Sequence, residues 1–389
     1  MKYDFDQVIE RRNSGSSKYD YARAAGKPLD LLPFWVADMD FRIPQPVIDA
    51  MVERTKHGIF GYGEPREDYL DPIIGWYKKY FGWEPRKEWM VFTPGIVFAV
   101  SMAIRTCTKP GEAVLIQRPV YYPFTNMILE NDRKLVNNPL IYKDGRYTLD
   151  LEDFEKKIVE EDVKLFILCS PHNPVGRVWT PEELVAMGDI CKKHGVLVVS
   201  DEIHEDFVFA GHKHHVFIDL KEDYKDFTIT CTAPSKTFNV AGLQLSHIWI
   251  PNEDIRNKFK KVLYSTGYEE PSVYGTTAAY AAYSEGREWL EQLKEYLAGN
   301  VDFVRSYLEE HLPAVKLVEP EGTYLLWLDC SALPYDTAER QKRIEEQAKL
   351  WLDTGAMFGP EGEAFERVNI ACPRATLEEG MKRFCDALR

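Results

Sequence analysis

The segment TITCTAPSKTFN at residues 228–239 carries the pattern that decides the fold. Its first five residues, TITCT, are apolar or β-branched and predict a buried strand. Pro234, Ser235 and Lys236 follow at the point where that strand ends. A lysine there could form an ordinary surface salt bridge, since a reactive lysine needs desolvation or a carbonyl partner. The surrounding segments must therefore decide between these two interpretations.

The neighbouring segments predict an α/β fold. From about residue 90 to 250, short apolar runs alternate with helical patterns, which indicates repeated βα units and a mostly parallel sheet. A helix over 181–194 is expected, with Thr180 as N-cap, Pro181 as its first residue and Gly195 at its end. Ligands collect at the carboxyl ends of strands in open sheets of this kind. The expected strands are 113–117, 164–169, 196–200, 228–232 and 245–250.

The last third of the chain has a different pattern. Long amphipathic helices are expected near 287–311 and 337–353, and short strands at 323–328 and 366–371. Helices that alternate with few strands in this way predict a smaller α+β domain.

These patterns predict three parts of the chain. Residues 1–45 are aromatic and turn-rich, and we expect them to form an arm and part of the small domain. We expect the large domain at 46–284 and the small C-terminal domain at 285–389.

Composition limits the possible partners. The chain has 389 residues and a formal net charge of -14, which argues against a nucleic-acid partner. The first dozen residues lack an apolar signal core and no run is long enough to span a bilayer, so we expect a cytoplasmic protein without a membrane partner. The 7 cysteines are widely spaced without a CxxC pair, which favours reduced thiols over disulfides or zinc, and no metal is expected.

Asp201 and Asn173 are candidate ligands for a small molecule at the strand ends. Asp201 follows the apolar run VLVVS and is either a buried structural acceptor or the partner of a cation such as a protonated pyridine nitrogen. Asn173 lies in PHNPVG at 171–176, where it could bind a ring oxygen or simply shape a turn between prolines. Neither residue alone decides for a function.

Taken in order, NPVG at 173–176, Asp201 and SKTFN at 235–239 resemble fold-type I pyridoxal-phosphate enzymes, the class I/II aminotransferase superfamily. The resemblance covers nearly the whole chain. It implies an aspartate aminotransferase-like α/β fold, with a mostly parallel seven-stranded sheet in a large domain that binds pyridoxal 5'-phosphate. Further segments that fall where the family has functional segments are GYGEP (61–65), TPGIV (93–97), RPVYYPF (118–124) and RVNIACPR (367–374).

Two other segments narrow the resemblance to one branch. FWVADMDF at 34–41 and SDEIHEDF at 200–207 resemble the cystathionine β-lyases, or C–S lyases, of the MalY and PatB type. His204 stands where many aminotransferases carry a tyrosine, which favours the lyase branch over them.

The resemblance implies a role for each candidate around the cofactor. Lys236 would carry the cofactor as a Schiff base and act as general base, and Asp201 would keep the ring nitrogen protonated. Asn173 and His204 would contact the ring oxygen, and Tyr121 would stack on the ring and take part in catalysis. The residues implied to receive the phosphate, mainly at a helix start, are Gly95, Ile96, Val97 and Ser235.

Three more residues are implied at the substrate and at a partner chain. Arg374 would bind the substrate α-carboxylate through two parallel hydrogen bonds, and the backbone of Ala37 would flank it, with Asn173 and Tyr121 nearby. Tyr62 would reach the phosphate of a neighbouring subunit, which makes a homodimer the expected assembly.

The chain also departs from the wider family at the phosphate. Many members carry a serine where this chain has Ala233 and an arginine where it has Gln244. A cationic phosphate contact is therefore missing from this sequence.

The implied reaction is α,β-elimination of cystathionine or a related cysteine S-conjugate to pyruvate, ammonia and a thiol such as homocysteine, within methionine and cysteine metabolism. An aminotransferase acting on an amino acid and a 2-oxo acid uses the same lysine and stays open. A non-catalytic protein that senses a metabolite or binds a regulator on this fold is a further alternative. The sequence does not decide the preferred thioether or any assembly beyond a dimer.

Overall fold

The computed structural model describes residues 2–389. Its helices are α1 Ser17–Asp20, α2 Gln45–His57, α3 Leu70–Tyr80, α4 Ile96–Cys107, α5 Pro123–Glu130, α6 Leu151–Glu160, α7 Pro181–Lys193, α8 Pro234–Thr237, α9 Glu253–Tyr264, α10 Val273–Glu285, α11 Arg287–His311, α12 Thr337–Lys342 and α13 Arg374–Leu388. Its strands are β1 Leu32–Pro33, β2 Met90–Thr93, β3 Ala113–Ile116, β4 Lys134–Asn137, β5 Ile141–Lys143, β6 Arg146–Thr148, β7 Val163–Cys169, β8 Leu197–Asp201, β9 Thr228–Thr232, β10 Ser246–Trp249, β11 Lys316–Val318, β12 Leu325–Asp329, β13 Leu350–Trp351, β14 Asp353–Thr354 and β15 Phe365–Asn369.

The large sheet contains seven strands in the order β2-β10-β9-β8-β7-β3-β4. Only β10 runs against its neighbours, so the expected mostly parallel seven-stranded sheet is confirmed. The five strands predicted between 113 and 250 are all present, with ends that differ by a residue. The two edge strands, β2 and β4, were not predicted because each is a four-residue run without a clear period.

Both faces of this sheet are covered, as parallel sheets require. Along β7, Leu165, Ile167 and Cys169 pack on one side and Phe166 and Leu168 on the other. This explains why the strands read as continuous apolar runs instead of an alternating pattern.

The predicted helix at 181–194 is confirmed as α7. Thr180 Oγ1 accepts from the backbone N–H of Glu183, and the Glu183 carboxylate accepts from the Thr180 N–H. Gly195 follows the helix with a left-handed φ of 68°. The capping residues seen in the sequence therefore set both ends of this helix.

The C-terminal part contains a four-stranded sheet in the order β11-β12-β15-β14 and the long helix α11, whose predicted bounds of 287–311 are confirmed. The helix predicted at 337–353 is wrong beyond about residue 348. Lys349 takes a left-handed φ of 54°, which ends the helix, and Leu350–Trp351 forms β13.

The arm lies between the two sheets. Its strand β1 pairs in parallel with β13, and Trp35 stacks on Trp351 with ring centroids 4.3 Å apart. Asn239, from the large-sheet side, and Asn369, from β15, each donate to two arm carbonyls at 2.6–3.1 Å. These bonds fix residues 36–41 against both parts of the molecule.

The large sheet lies within the expected domain at 46–284 and the four-stranded sheet within 285–389, whereas the exact boundaries stay a prediction. Among residues 2–389, no helix is long and apolar enough to cross a membrane.

Candidate active site

Polar side chains from three segments meet at the carboxyl ends of β7, β8 and β9. Asp201 is the last residue of β8, Asn173 follows β7, and Lys236 lies on α8 just after β9. Because the three strands are parallel neighbours, their ends lie at one edge of the sheet. They share a cavity of about 190 Å³ whose lining residues are Ala37, Pro94, Gly95, Ile96, Val97, Tyr121, Cys169, Asn173, Asp201, Ile203, His204, Ser235, Lys236, Ala241 and Leu245.

The structure thus brings most of the predicted site residues into one cavity. The predicted residues that line it are Lys236, Asp201, Tyr121, Asn173, His204, Gly95, Ile96, Val97, Ser235 and Ala37. The two predicted residues outside it are Tyr62 and Arg374.

Lys236 is the amine at the centre of this cavity. Its Nζ donates to the Ala37 carbonyl at 2.8 Å. Burial lowers the pKa of Lys236 to about 8; Asp38 and Asp201 oppose that shift, and Arg367 adds to it. A lysine with this pKa is partly neutral near pH 7, so it can act as a nucleophile or as a base.

Asp201 is a buried carboxyl in the same cavity. Burial raises its pKa to about 7, against a hydrogen bond from the Ile203 N–H at 3.1 Å and the nearby Lys236. The neighbouring Glu202 raises it further. Such a carboxyl gains most from a bound cation, because a cation stabilises the charged form that burial penalises.

Behind Asp201, Glu202 belongs to a buried cluster with Glu205 and His214, whose polar atoms lie within 4.8 Å of one another. Glu202 accepts from the Ser200 hydroxyl at 2.7 Å and contacts His214 Nε2 at 2.7 Å. Burial raises the pKa of Glu205 well above its ordinary value, which favours its neutral form. This cluster acts on the cavity electrostatically, because the charge of Glu202 raises the pKa of Asp201.

His204 is a buried neutral imidazole. Burial, Lys236 and Arg367 together lower its pKa well below the ordinary value. Its ring packs edge-to-face on Tyr324 at 5.8 Å, and Nδ1 has no hydrogen-bond partner among residues 2–389. A buried nitrogen without a partner is costly, so a ligand atom that bonds to it would stabilise the site.

Tyr121 supplies an aromatic wall. Its ring packs edge-to-face on Phe124 and beside Tyr122, both at 5.6 Å between centroids, which fixes its orientation. Burial raises the pKa of Tyr121, so the hydroxyl stays protonated near neutral pH.

The opposite end of the cavity is a helix start. Gly95 precedes α4, and the first backbone N–H groups of that helix have no partner within it. This is a suitable anion site, and Ser235 adds a hydroxyl. Among residues 2–389, Lys236 is the one Lys or Arg that lines the cavity. This agrees with the sequence, which has Gln244 where many family members carry an arginine for the phosphate. Gln244 itself lines a different cavity.

Arg367 adjoins the cavity through its bond to Asn173, and no sequence motif predicted this position. From β15, its Nη1 donates to Asn173 Oδ1 at 3.0 Å and its Nη2 to the Trp35 carbonyl at 2.7 Å. It also forms a buried ion pair with Asp353. Since Asn173 Oδ1 is taken by Arg367, the amide nitrogen of Asn173 is left to donate to a ligand.

Arg374 is placed elsewhere, which corrects its predicted position. It is the first residue of α13, and there its Nε donates to Asn300 Oδ1 at 2.9 Å while its guanidinium lies over the Phe303 ring. The turn at Pro373 directs this side chain towards α11 and away from the cavity.

Tyr62 is fully exposed on the loop between α2 and α3. It lines a separate cavity of about 510 Å³ together with Pro271, Val273 and Tyr280. Within one chain Tyr62 does not line the Lys236 cavity, although it lines a neighbouring cavity with Pro94, which borders both.

The cavity fits the cofactor that the resemblance implies. The buried carboxyl suits a protonated ring nitrogen, and the imidazole nitrogen without a partner suits the ring oxygen. The aromatic wall suits the face of the ring, and the helix start suits the phosphate.

Comparison with known proteins defines the class of this molecule. The family model described as aminotransferase class I and II matches residues 30–384. The chain therefore belongs to the class I and II aminotransferase family.

Within that family, the chain is similar to a protein named a lyase and to two proteins whose solved structures contain pyridoxal phosphate. Cystathionine beta-lyase PatB of Bacillus subtilis (strain 168) is 45% identical over 99% of this chain and 100% of its own length. Cystalysin from Treponema denticola, whose structure contains a pyridoxal 5'-phosphate cofactor, is 38% identical with a TM-score of 0.96, over 100% of this chain and 99% of its own. A pyridoxal-phosphate-bound putative aminotransferase from Clostridium difficile 630 is 40% identical with a TM-score of 0.97, over 100% of both chains.

Proposed function

We propose that this chain is a pyridoxal-phosphate-dependent carbon–sulfur lyase that acts on cystathionine or a related cysteine S-conjugate. The reaction consumes water and yields pyruvate, ammonia and a thiol, which is homocysteine when the substrate is cystathionine. The observation that carries this proposal is one cavity with a lysine amine and a buried carboxyl, Lys236 and Asp201, in a chain 45% identical to a cystathionine β-lyase.

Each end of the cofactor is assigned to residues of this cavity. Asp201 is assigned to the ring nitrogen, because a cation there offsets the cost of burying the carboxylate. The Asn173 amide and His204 are assigned to the ring oxygen, and Tyr121 to the ring face. The groups assigned to the phosphate are Gly95, Ile96, Val97 and Ser235.

The residues then divide the chemistry between them. When bound, pyridoxal phosphate supplies an electron-poor ring that accepts the electron pair left on the substrate α-carbon. Lys236 removes the α-proton as general base, which suits an amine with a pKa near 8. Asp201 keeps the ring nitrogen protonated. The carbon–sulfur bond breaks as the thiolate leaves with its bonding pair, and the α-carbon electron pair forms a double bond to the β-carbon. Water then hydrolyses the released unsaturated amine to pyruvate and ammonia.

Arg367, and not Arg374, is assigned to the substrate α-carboxylate. Asn173 and the Trp35 carbonyl hold its guanidinium in place before a substrate arrives. A pre-oriented guanidinium suits a carboxylate, because two parallel hydrogen bonds fix the substrate as well as bind it. Asp353 balances its charge when the site is empty of substrate.

An aminotransferase is the second candidate, favoured by the name of the matching family model and by the Clostridium difficile structure. Both reactions use Lys236 as base on the α-carbon. They differ in the β-substituent, which a lyase releases and an aminotransferase keeps.

The assembly is assigned to a homodimer with Tyr62 at the interface. Tyr62 is fully exposed, and Ile59 and Phe60 beside it are exposed apolar side chains. Such a patch is typical of a surface that a partner covers. Sedimentation of the loaded protein measures the assembly, and Tyr62→Phe should weaken cofactor retention if the hydroxyl reaches the phosphate of the other subunit.

One incubation tests the reaction. The holoenzyme is mixed with cystathionine, and pyruvate and free thiol are measured with and without an added 2-oxo acid. Equal amounts of pyruvate and thiol without the 2-oxo acid support the lyase, whereas turnover that requires the 2-oxo acid supports the aminotransferase. Borohydride reduction followed by peptide mapping should place the cofactor label on Lys236, and a label on another lysine would refute the assignment.

A further inference from the structure

Two arm residues, Ala37 and Asp38, lie against the amine of Lys236. The Ala37 carbonyl accepts from Lys236 Nζ at 2.8 Å and from the Tyr324 hydroxyl at 2.9 Å. In the next residue, Asp38, Oδ2 accepts a hydrogen bond from Arg11 Nη2 at 2.5 Å. Its other oxygen, Oδ1, is buried and has no hydrogen-bond partner among residues 2–389. A buried carboxylate oxygen is thus unused near a lysine amine.

Three charged side chains act on Lys236 from three sides. Asp38 acts from the arm, Asp201 from the end of β8 and Arg367 from β15. Of the two carboxylates, Asp38 raises the pKa of the amine more than Asp201 does. Asp38 also raises the pKa of the Tyr324 hydroxyl, which places its charge close to the Ala37 carbonyl where both donors meet.

The position of Asp38 is fixed by an ionic network in the arm. Arg11 bridges Asp38 and Asp40, through Nη2 at 2.5 Å and Nη1 at 2.6 Å. The buried Lys18 pairs with the other oxygen of Asp40 at 2.8 Å. Two cations balance two carboxylates in this network, so Asp38 acts on Lys236 by its local field and not by excess charge.

We propose that Asp38 is a positioning residue, which holds Lys236 while the lysine carries the proton taken from the substrate. This inference rests on the proposed lyase reaction. In that step the α-carbon–hydrogen bond breaks, its electron pair stays with the substrate, and a nitrogen–hydrogen bond forms on Nζ. The amine becomes an ammonium with three donors. The Ala37 carbonyl accepts from one of them, and the negative charge of the Asp38 carboxylate, which forms no direct bond to Nζ, stabilises the ammonium.

The test compares Asp38→Asn with Asp40→Asn in the holoenzyme. Asp40 is bonded to the same Arg11, but Lys236 is not subject to its charge, so Asp40→Asn controls for loss of the network. The readouts are kcat and KM against pH, and the pH titration of the visible absorbance of the bound cofactor. The absorbance needs no substrate and reports the charge on the lysine nitrogen directly.

Asp38→Asn should lower kcat by about 10-fold with KM unchanged, since the carboxylate charge that stabilises the ammonium is lost. Removing a carboxylate disfavours the protonated nitrogen, so the absorbance titration and the acid limb of kcat should both move to lower pH. Asp40→Asn should leave both where they are. If Asp38→Asn does not fold, Arg11→Lys, which cannot bridge both carboxylates, should produce a smaller change in the same direction.

An absorbance titration that does not move in Asp38→Asn overturns the proposal. So does a change in KM alone, which would assign Asp38 to the substrate, or an equal shift in Asp40→Asn. A wild-type protein that forms no pyruvate would refute the lyase reaction itself. The absorbance comparison still decides the effect of Asp38 in that case.

Discussion

The candidate site, which consists of the Lys236 cavity and the adjoining Arg367, has two walls that the chain builds in different ways. The cofactor wall, Asn173, Asp201 and Lys236, consists of residues that follow neighbouring strands of one sheet. The substrate wall, Ala37 and Arg367, joins the arm to the small sheet across more than three hundred residues of chain. Strand order alone places the first wall, whereas the second depends on contacts between distant segments. Damage to the cofactor wall should therefore stop the chemistry, and damage to the substrate wall should mainly weaken binding.

The largest effect is expected for Lys236→Ala in the cofactor wall. Loss of the base and of the cofactor attachment should lower pyruvate formation by more than about 1,000-fold, since a positioned base alone contributes up to about 10,000-fold. The check is a pyruvate assay together with a thermal melt. Lys143→Ala, at an exposed lysine, is the control. A Lys236→Ala protein that still turns over would remove the distinction between the walls.

The second largest effect is expected for Asp201→Asn, which should lower kcat by about 100-fold. The amide keeps the shape of the side chain but cannot stabilise a protonated ring nitrogen. The protein should fold and bind the cofactor. Stopped-flow absorbance would locate the slow step at α-proton removal. A kcat near wild type would mean that the buried carboxyl serves the fold alone.

The matched pair Arg367→Lys and Arg374→Lys examines the substrate wall. Arg367→Lys should raise KM about 30-fold, since roughly 2 kcal/mol is lost when a two-point charged contact is replaced by one. Arg374→Lys should leave KM within about threefold of wild type, because its bond to Asn300 lies outside the cavity. The reverse pattern in steady-state kinetics would return the carboxylate to Arg374.

The smallest expected effect is a loss of stability in acid. It is caused by His172, which lies next to the cofactor wall. Burial lowers the pKa of His172 to about 4, while its ring contacts the Pro119 carbonyl at 2.9 Å. The unfolded chain therefore binds more protons than the native one between about pH 6.5 and 4, and stability is lost as the pH falls through that window. The loss from this group between pH 7 and 5 is about 2 kcal/mol.

His172→Gln, which cannot take up a proton, should flatten the pH dependence of the urea midpoint in that window. Measurements at pH 7 and pH 5 suffice. An unchanged slope would show that the acid sensitivity arises from other buried groups, such as His247, whose pKa burial lowers to about 3.

The sequence predicted the cofactor wall well because its signals are local. The runs before Asp201 and Lys236 are recognisable in the sequence as apolar, β-branched strands. The parallel arrangement of these strands follows from their alternation with helices. Fold, large sheet and the meeting of these residues in one cavity all agree with that prediction.

The substrate wall was predicted less well, and the run RVNIACPR explains why. Its two arginines both suit a carboxylate, but Arg367 lies inside β15 and Arg374 after a proline at a helix start. An arginine in a predicted buried strand was the available signal, because a buried guanidinium needs a partner. The partners Asp353 and Asn173 come from other segments, and their approach depends on packing that no local pattern encodes.

The pairing of β1 with β13 has a consequence for the order in which the protein forms during synthesis. The ribosome delivers the arm before the large sheet, yet the residues that bind the arm, Leu350–Trp351 and Asn369, are made more than 300 residues later. The nascent chain can assemble the large sheet with its lysine long before the carbonyl of Ala37 is held in place. Completion of the site is therefore delayed until Asn369 has been made, and a product truncated before Leu350 would contain the lysine in an unfinished pocket.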